Sequence, residues 1–84
     1  MIQTTDIEQE ICTFLINNFL YGRTSALRPE DQLLGNVIDS AGVMEFVMFL
    51  QDKFSITIQD EEVNADNLDS VKKAVAFVDR KLRE

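Results

Sequence analysis

Asp39-Ser40-Ala41-Gly42-Val43-Met44-Glu45-Phe46-Val47-Met48-Phe49-Leu50-Gln51-Asp52-Lys53-Phe54 is the stretch on which the fold turns. The Asp-Ser start suits a helix N-terminus, and Val43, Phe46, Val47, Leu50 and Phe54 follow at spacings of three and four. This predicts a helix from Asp39 to near Phe54 with one buried face. At roughly 100° per residue, Ala41, Met44 and Met48 fall on a second arc, bordered by Glu45 and Asp52. Two readings of that arc stay open: an outward, shape-adaptable apolar stripe with an acidic border, or methionines packed beneath the loop that precedes the helix.

Downstream, Ser55-Ile56-Thr57-Ile58 alternates like a strand. A single four-residue run has nothing to pair with, so it reads as an extended connector and no sheet is expected. Asp60 to Val63 suits a short helix. Asp69-Ser70 caps a last helix whose expected core face is Val71, Val75, Val78 and Leu82. Upstream, Thr5-Asp6-Ile7-Glu8 has the form of a capping box, and Ile7, Ile11, Phe14 and Leu15 extend a helix from about Asp6 to Leu20. Between the two lies a long stretch with the only Pro, Pro29, and with Gly22 and Gly35. Leu27, Leu33, Leu34, Val37 and Ile38 give it apolar anchors, so we read it as a packed, ordered loop. The expected fold is all-α, a three- to four-helix bundle, with residues 1–84 as a single domain.

Eighty-four residues support one small core and leave no room for a two-lobed active site. The 15 acids against 8 bases give a net charge of −7, which repels phosphate backbones, so nucleic acid is not an expected partner. The segment from Asp39 to Asp69 holds eight acids and one base, Lys53, and carries the whole imbalance. It is either a solvated face or a surface that steers basic partners. The chain has no His, which removes the commonest general base and metal ligand, so no catalytic residue and no enzymatic activity are expected. Cys12, the single cysteine, forms no internal disulfide and reads as a small hydrophobe in a reduced, cytoplasmic setting. Asp6, Glu8 and Glu10 stand where a secretion signal would be basic and then apolar, and Glu45 interrupts the longest apolar stretch, so no membrane span is expected. The acids from Asp60 to Asp69 do not form a calcium loop. Starts at Asp60, Asn64 or Asp66 lack both the Gly at the sixth position and the Glu at the twelfth, and no metal site is expected.

Ser40 stands at the head of the central helix, where free backbone N–H groups and the helix dipole favour an attached phosphate. With no His to activate its hydroxyl, covalent chemistry there must be supplied by another enzyme. The usual role of a Ser or Asp at such a position is N-capping, and that reading stays open; any chemistry at Ser40 points to modification rather than turnover.

Leu34-Gly35, Val37-Ile38-Asp39-Ser40 and Gly42-Val43-Met44-Glu45-Phe46-Val47 together resemble the attachment segment and recognition helix of the acyl carrier protein family, the phosphopantetheine-binding carriers. The similarity continues through Phe54, Ile56-Thr57-Ile58, Asp60-Glu61-Glu62 and Leu68-Asp69-Ser70-Val71 and covers nearly the whole chain. It implies a small four-helix bundle of three longer helices and one short helix, and makes residues 1–84 a phosphopantetheine attachment domain. A phosphopantetheinyl transferase, with coenzyme A and a divalent metal, would attach 4′-phosphopantetheine to Ser40, with Asp39 aiding recognition. The prosthetic thiol, not Cys12, would carry acyl or aminoacyl groups as thioesters. Ala41, Met44, Glu45, Met48 and Asp52 match positions where partners dock, and the acyl chain of a family member tucks between helices 2 and 3. The implied partners are the transferase, acyl- or aminoacyl-loading ligases and acyl-transferring enzymes with basic docking surfaces, all meeting a monomeric carrier in fatty-acid, lipid or secondary-metabolite biosynthesis. Ala41 replaces the Leu usual in fatty-acid carriers, two more residues separate Gly35 from Asp39, and Gln51 and Lys53 make the helix less acidic. These departures point to a specialised rather than a housekeeping carrier. The alternative is an unmodified helical adaptor that binds partners through the Met44/Met48 stripe.

Overall fold

The computed structural model describes residues 3–19 and 28–84. Its first helix, α1, runs over Thr4–Asn18 and presents Ile7, Ile11 and Leu15 to the core, all fully buried. The start differs from the Thr5/Glu8 capping box expected from the sequence. Gln3 is the N-cap, and the Asp6 carboxylate reaches back to accept from the Gln3 N–H at 3.3 Å. Either pair has the right spacing of three, and the earlier one lets the helix gain residues at its amino end. Leu20, the expected last residue of α1, lies outside the described residues.

Helix α2 spans Ser40–Phe54, in agreement with its apolar period, and buries Phe46, Val47, Leu50 and Phe54. Val43 is half-buried against that cluster. The helix stops at Ser55, which takes a left-handed conformation (φ 54°) and turns the chain away. Gln51 then catches the connector, its side-chain oxygen accepting from the Ile58 N–H at 2.9 Å, and Ile58 enters the core. Among the described residues there is no strand; Leu34 and Ile38 form one isolated bridge.

The expected short helix over Asp60–Val63 resolves into two pieces. A 3-10 turn covers Asp60–Glu62, and a one-turn helix, α3, covers Ala65–Leu68. Asn64 separates them because its side chain accepts from the Asn67 N–H at 3.1 Å, starting a new helix rather than extending the turn. Helix α4, Val71–Arg83, follows and packs along α1 and against α3. Its buried face is Val71, Ala74, Phe77 and Val78, a correction to the expected one: Val75 and Leu82 are only half-buried. Phe77 sets the centre of the face because its ring offers the largest apolar area on the helix. Three longer helices and a short one thus close around a single continuous core, an all-α bundle as expected.

The loop ahead of α2 is packed over its described part. Leu33 and Ile38 are fully buried and Leu34 and Val37 half-buried, whereas Leu27 lies outside the described residues. Backbone bonds from Ile38 N to Leu33 O and from Gly35 N to Ile38 O, both 2.8 Å, fold it into a tight loop. Gly35 makes that possible with φ +78°, a conformation costly for a residue with a side chain. The loop is tied to the head of α4 by three further bonds: Leu33 N to Asp69 O (2.8 Å), Leu34 N to the Asp69 carboxylate (3.0 Å) and Lys72 N to Pro29 O (2.9 Å). The residues that lead into α2 therefore hang on α4.

Candidate functional site

Asp39 is the N-cap of α2 and its carboxylate accepts from the Gly42 N–H at 2.7 Å. Ser40 is thereby the first helical residue and not the cap, and its side chain is exposed. The division of labour is chemical. Asp39 satisfies one of the orphan amides of the first turn, which leaves the Ser40 hydroxyl facing solvent at the positive end of a 15-residue helix.

Gly42 explains how closely α1 approaches this point. A Cβ built on Gly42 would stand 2.5 Å from the edge of the Phe19 ring and 3.1 Å from the Asp39 carboxylate oxygen. Only a residue without a side chain lets Phe19, at the end of α1, sit against the first turn of α2. Phe19 meets Phe14 edge-on at 5.8 Å, and Phe14 stacks on Phe49 at 4.1 Å with the rings 12° from parallel. An aromatic seam thus joins α1 to α2 from the serine downward. Neither the seam nor the Asp69 tether was read from the sequence: both depend on contacts between residues far apart in the chain. The one available signal was a glycine in the first turn of a helix.

Met44 and Met48 are 56% and 59% exposed, so the methionines form an outward stripe and are not packed under the loop. Ala41, Glu45 and Asp52 are exposed on the same helix. Lys53, the one base of the acidic segment, is engaged with Glu10 of α1 at 3.3 Å. The structure therefore brings Ser40, Asp39, Ala41, Met44, Glu45, Met48 and Asp52 onto one helix, with a hydroxyl at its head and an apolar stripe edged by carboxylates along its length.

Two cavities open beside this helix. One of about 390 Å³ lies at its head against Asn18, Asn36 and Asp39; the other, about 550 Å³ and apolar-floored, lies farther down against Phe14, Met48 and Phe49. Cys12 is half-buried on α1, and burial first, then the neighbouring Glu8, pushes its thiol pKa up. It is a poor nucleophile for that reason. Among the described residues no three His, Cys, Asp or Glu side chains converge in the manner of a metal site. No helix among them is long and apolar enough to cross a membrane.

No protein-family model matches the chain. Individual relatives do. It is 52% identical over 44 residues to an acyl carrier protein of Exiguobacterium sp., covering 52% of this chain and 53% of that protein. An acyl carrier protein of Helicobacter hepaticus is 41% identical over 54 residues, 63% of this chain and 68% of the relative. A probable acyl carrier protein of Serratia sp., PigG, is 28% identical over 75 residues, 88% of this chain and 86% of its own length. The match thus spans about half the length of the Exiguobacterium protein and most of the Serratia one.

Proposed function

The chain belongs to the acyl carrier protein family, and from that premise we propose that Ser40 is the attachment point of a 4′-phosphopantetheine arm on which the protein carries acyl groups as thioesters. The family is one of carriers rather than enzymes. The observation that carries the proposal is the exposed Ser40 hydroxyl on the first turn of α2, left free because Asp39 does the capping.

The residues present fit the prosthetic group. Its phosphate would sit at the amino end of α2, where the helix dipole favours negative charge, and Asn18 and Asn36 line the polar cavity beside that end. When attached, the arm supplies the thiol that holds the acyl group. In the attachment step the Ser40 oxygen would bond to the phosphorus on the pantetheine side of the coenzyme A diphosphate, the bridging P–O bond would break, adenosine 3′,5′-bisphosphate would leave, and the serine proton would pass to a base of the transferase. This chain holds no His to take that proton, which is why a separate phosphopantetheinyl transferase performs the step.

Residues 1–84 then act as one carrier domain, in the cytoplasm and as a monomer, and the apolar stripe Ala41, Met44 and Met48 with Glu45 and Asp52 beside it meets the basic docking surfaces of the loading and transferring enzymes. A methionine surface re-forms against different partners, which suits a body that binds several enzymes in turn and releases each. Ala41 in place of a larger residue and the longer run from Gly35 to Asp39 favour a specialised pathway over housekeeping fatty-acid synthesis. The test is intact mass after incubation with a broad-specificity phosphopantetheinyl transferase, coenzyme A and magnesium. The expected result is a gain of one phosphopantetheinyl group in the parent protein and none in Ser40→Ala. No gain with several transferases leaves an unmodified adaptor, acting through the Met44/Met48 stripe, as the reading.

A further inference from the structure

The first turn of α2 has almost no apolar surface of its own to offer beside Ser40. Ala41 exposes a single methyl, Gly42 has no side chain, and Met44, the next exposed apolar residue, stands about 6 Å farther along the axis. The end of α1 fills that place. Phe19, the C-cap of α1, lies so close to Gly42 that a Cβ there would stand 2.5 Å from the ring edge, yet Phe19 is only half-buried. Phe19, Asp39 and Ala41 stand in the wall of one cavity of about 390 Å³, so the ring shares a surface with both chain neighbours of Ser40. The ring is also held in place. The Phe19 N–H donates to the Leu15 carbonyl at 2.9 Å, and the Asn18 side chain closes the last turn by donating to the Phe14 carbonyl at 2.8 Å. Phe14, stacked on Phe49 at 4.1 Å, meets the Phe19 ring edge-on at 5.8 Å. A fixed aromatic side chain offers a large contact area and loses little freedom when a partner covers it.

We infer that Phe19 of α1 is a recognition residue for the phosphopantetheinyl transferase, an apolar side chain of that enzyme seating on its ring while Ser40 is modified. This rests on the reading of Ser40 given above and deepens it by placing part of the recognition surface outside α2. The transferase is the partner in question because it must reach the Ser40 oxygen itself and so covers the residues around it, whereas enzymes that act on the cargo work at the far end of the arm. The charged residues of the cavity wall are Asp39 and Glu45, both acids, so the fitting element of the transferase carries a basic group beside its apolar one. Gly42 acquires a second role in this arrangement. By leaving room for the ring, it lets α1 supply the apolar contact that the first turn of α2 lacks.

The test measures loading kinetics on the intact chain with one broad-specificity phosphopantetheinyl transferase, coenzyme A and magnesium, each variant first shown by circular dichroism to keep the helical signal of the parent. Phe19→Ala is expected to raise KM for the carrier about fivefold or more, with kcat within about twofold of the parent. Ala41→Leu, which adds apolar area beside Ser40, is expected to restore most of the lost KM in the double variant. A ring that served only to pack α1 on α2 would not be replaced by a side chain at an exposed position. A KM unchanged in Phe19→Ala, or raised and not recovered by Ala41→Leu, would overturn the contact while leaving the attachment at Ser40 intact. A second measurement needs no substitution: the parent is titrated with the transferase in the absence of coenzyme A and followed by amide NMR. Asn18 and Phe19 are expected to shift together with residues 39–45, and shifts confined to α2 would overturn the inference even if Phe19→Ala failed to fold. Absence of any mass gain in the parent with several transferases would overturn the attachment itself, and this recognition role with it.

Discussion

The chain starts two helices with the same dipeptide, Asp39-Ser40 and Asp69-Ser70, and uses its members in opposite ways. At α2 the aspartate caps, accepting from the Gly42 N–H, and the serine is the exposed first residue of the helix. At α4 the register moves by one. Ser70 caps, its hydroxyl accepting from the Lys73 N–H at 3.0 Å, and it is only 6% exposed, while the Asp69 carboxylate turns to the Leu34 N–H. A hydroxyl engaged in a cap and buried is closed to an incoming enzyme. One that follows a capping aspartate is open. The dipeptide alone therefore says nothing about modification; which of its two residues takes the cap decides it.

The widest separation between the two starts is expected from paired serine substitutions. Ser40→Ala should abolish loading by a transferase, read as complete loss of the mass gain, while changing stability by less than about 0.5 kcal/mol because an exposed first-turn serine bonds no buried group. Ser70→Ala should load normally. Modification appearing on Ser70, or persisting in Ser40→Ala, would break the comparison at its root.

The aspartates should differ next. Asp69→Ala strips the half-buried Leu34 N–H of its partner and is expected to cost about 1–3 kcal/mol in urea unfolding. Hydrogen exchange should quicken at Leu34, and the loop that leads into α2 should loosen with it. Asp39→Ala removes a cap at an exposed end and should cost about 1 kcal/mol, without an effect on Leu34. Should the two prove equal, the tether of the loop to α4 would carry no more than an ordinary cap.

Ser70→Ala itself is expected to cost about 1 kcal/mol, the ordinary worth of a serine N-cap. A loss near zero would mean that water replaces the hydroxyl and that burial, not capping, closes Ser70. This part of the comparison was legible in the sequence: the Asp69-Ser70 cap, the bounds of α2 and its buried arc follow from residues within two turns of one another. The face of α4 is legible in half, Val71 and Val78, since the spacing of Val71, Val75, Val78 and Leu82 fits a helix as well as that of Val71, Ala74, Phe77 and Val78. Only the neighbours from α1 and α3 choose between them. The bond from Leu34 to Asp69 joins residues 35 apart and has no local signature. The same holds for the candidate site, whose serine and stripe lie on one helix and were visible, whereas the α1 wall of the seam, Phe14 and Phe19, needed the packed bundle.

Two further element starts sharpen the contrast by using a third arrangement, in which the acid stands three residues inside and reaches back. Asp6 accepts from the Gln3 N–H in this way, and Glu62 from the Gln59 N–H at 2.9 Å. Glu62 also holds the Lys81 ammonium of α4 at 2.9 Å. The backbone bond from Gln59, and after it the bond from Lys81, keep the Glu62 carboxyl below its ordinary pKa of 4.5. Because the folded chain then binds this proton less readily than the unfolded chain, the stabilisation is in place above the unfolded value and is lost as pH falls through the folded one. Urea midpoints at about pH 7 and about pH 3 should therefore diverge less in Glu62→Gln than in the parent. The effect is expected to be the smallest of the set, because the pair is only half-buried and water still screens it in part. A parent and variant with the same pH dependence would mean that the start at Gln59 is held by its backbone geometry alone. Capping by a reaching acid would then contribute less here than the direct caps at Asp39 and Ser70.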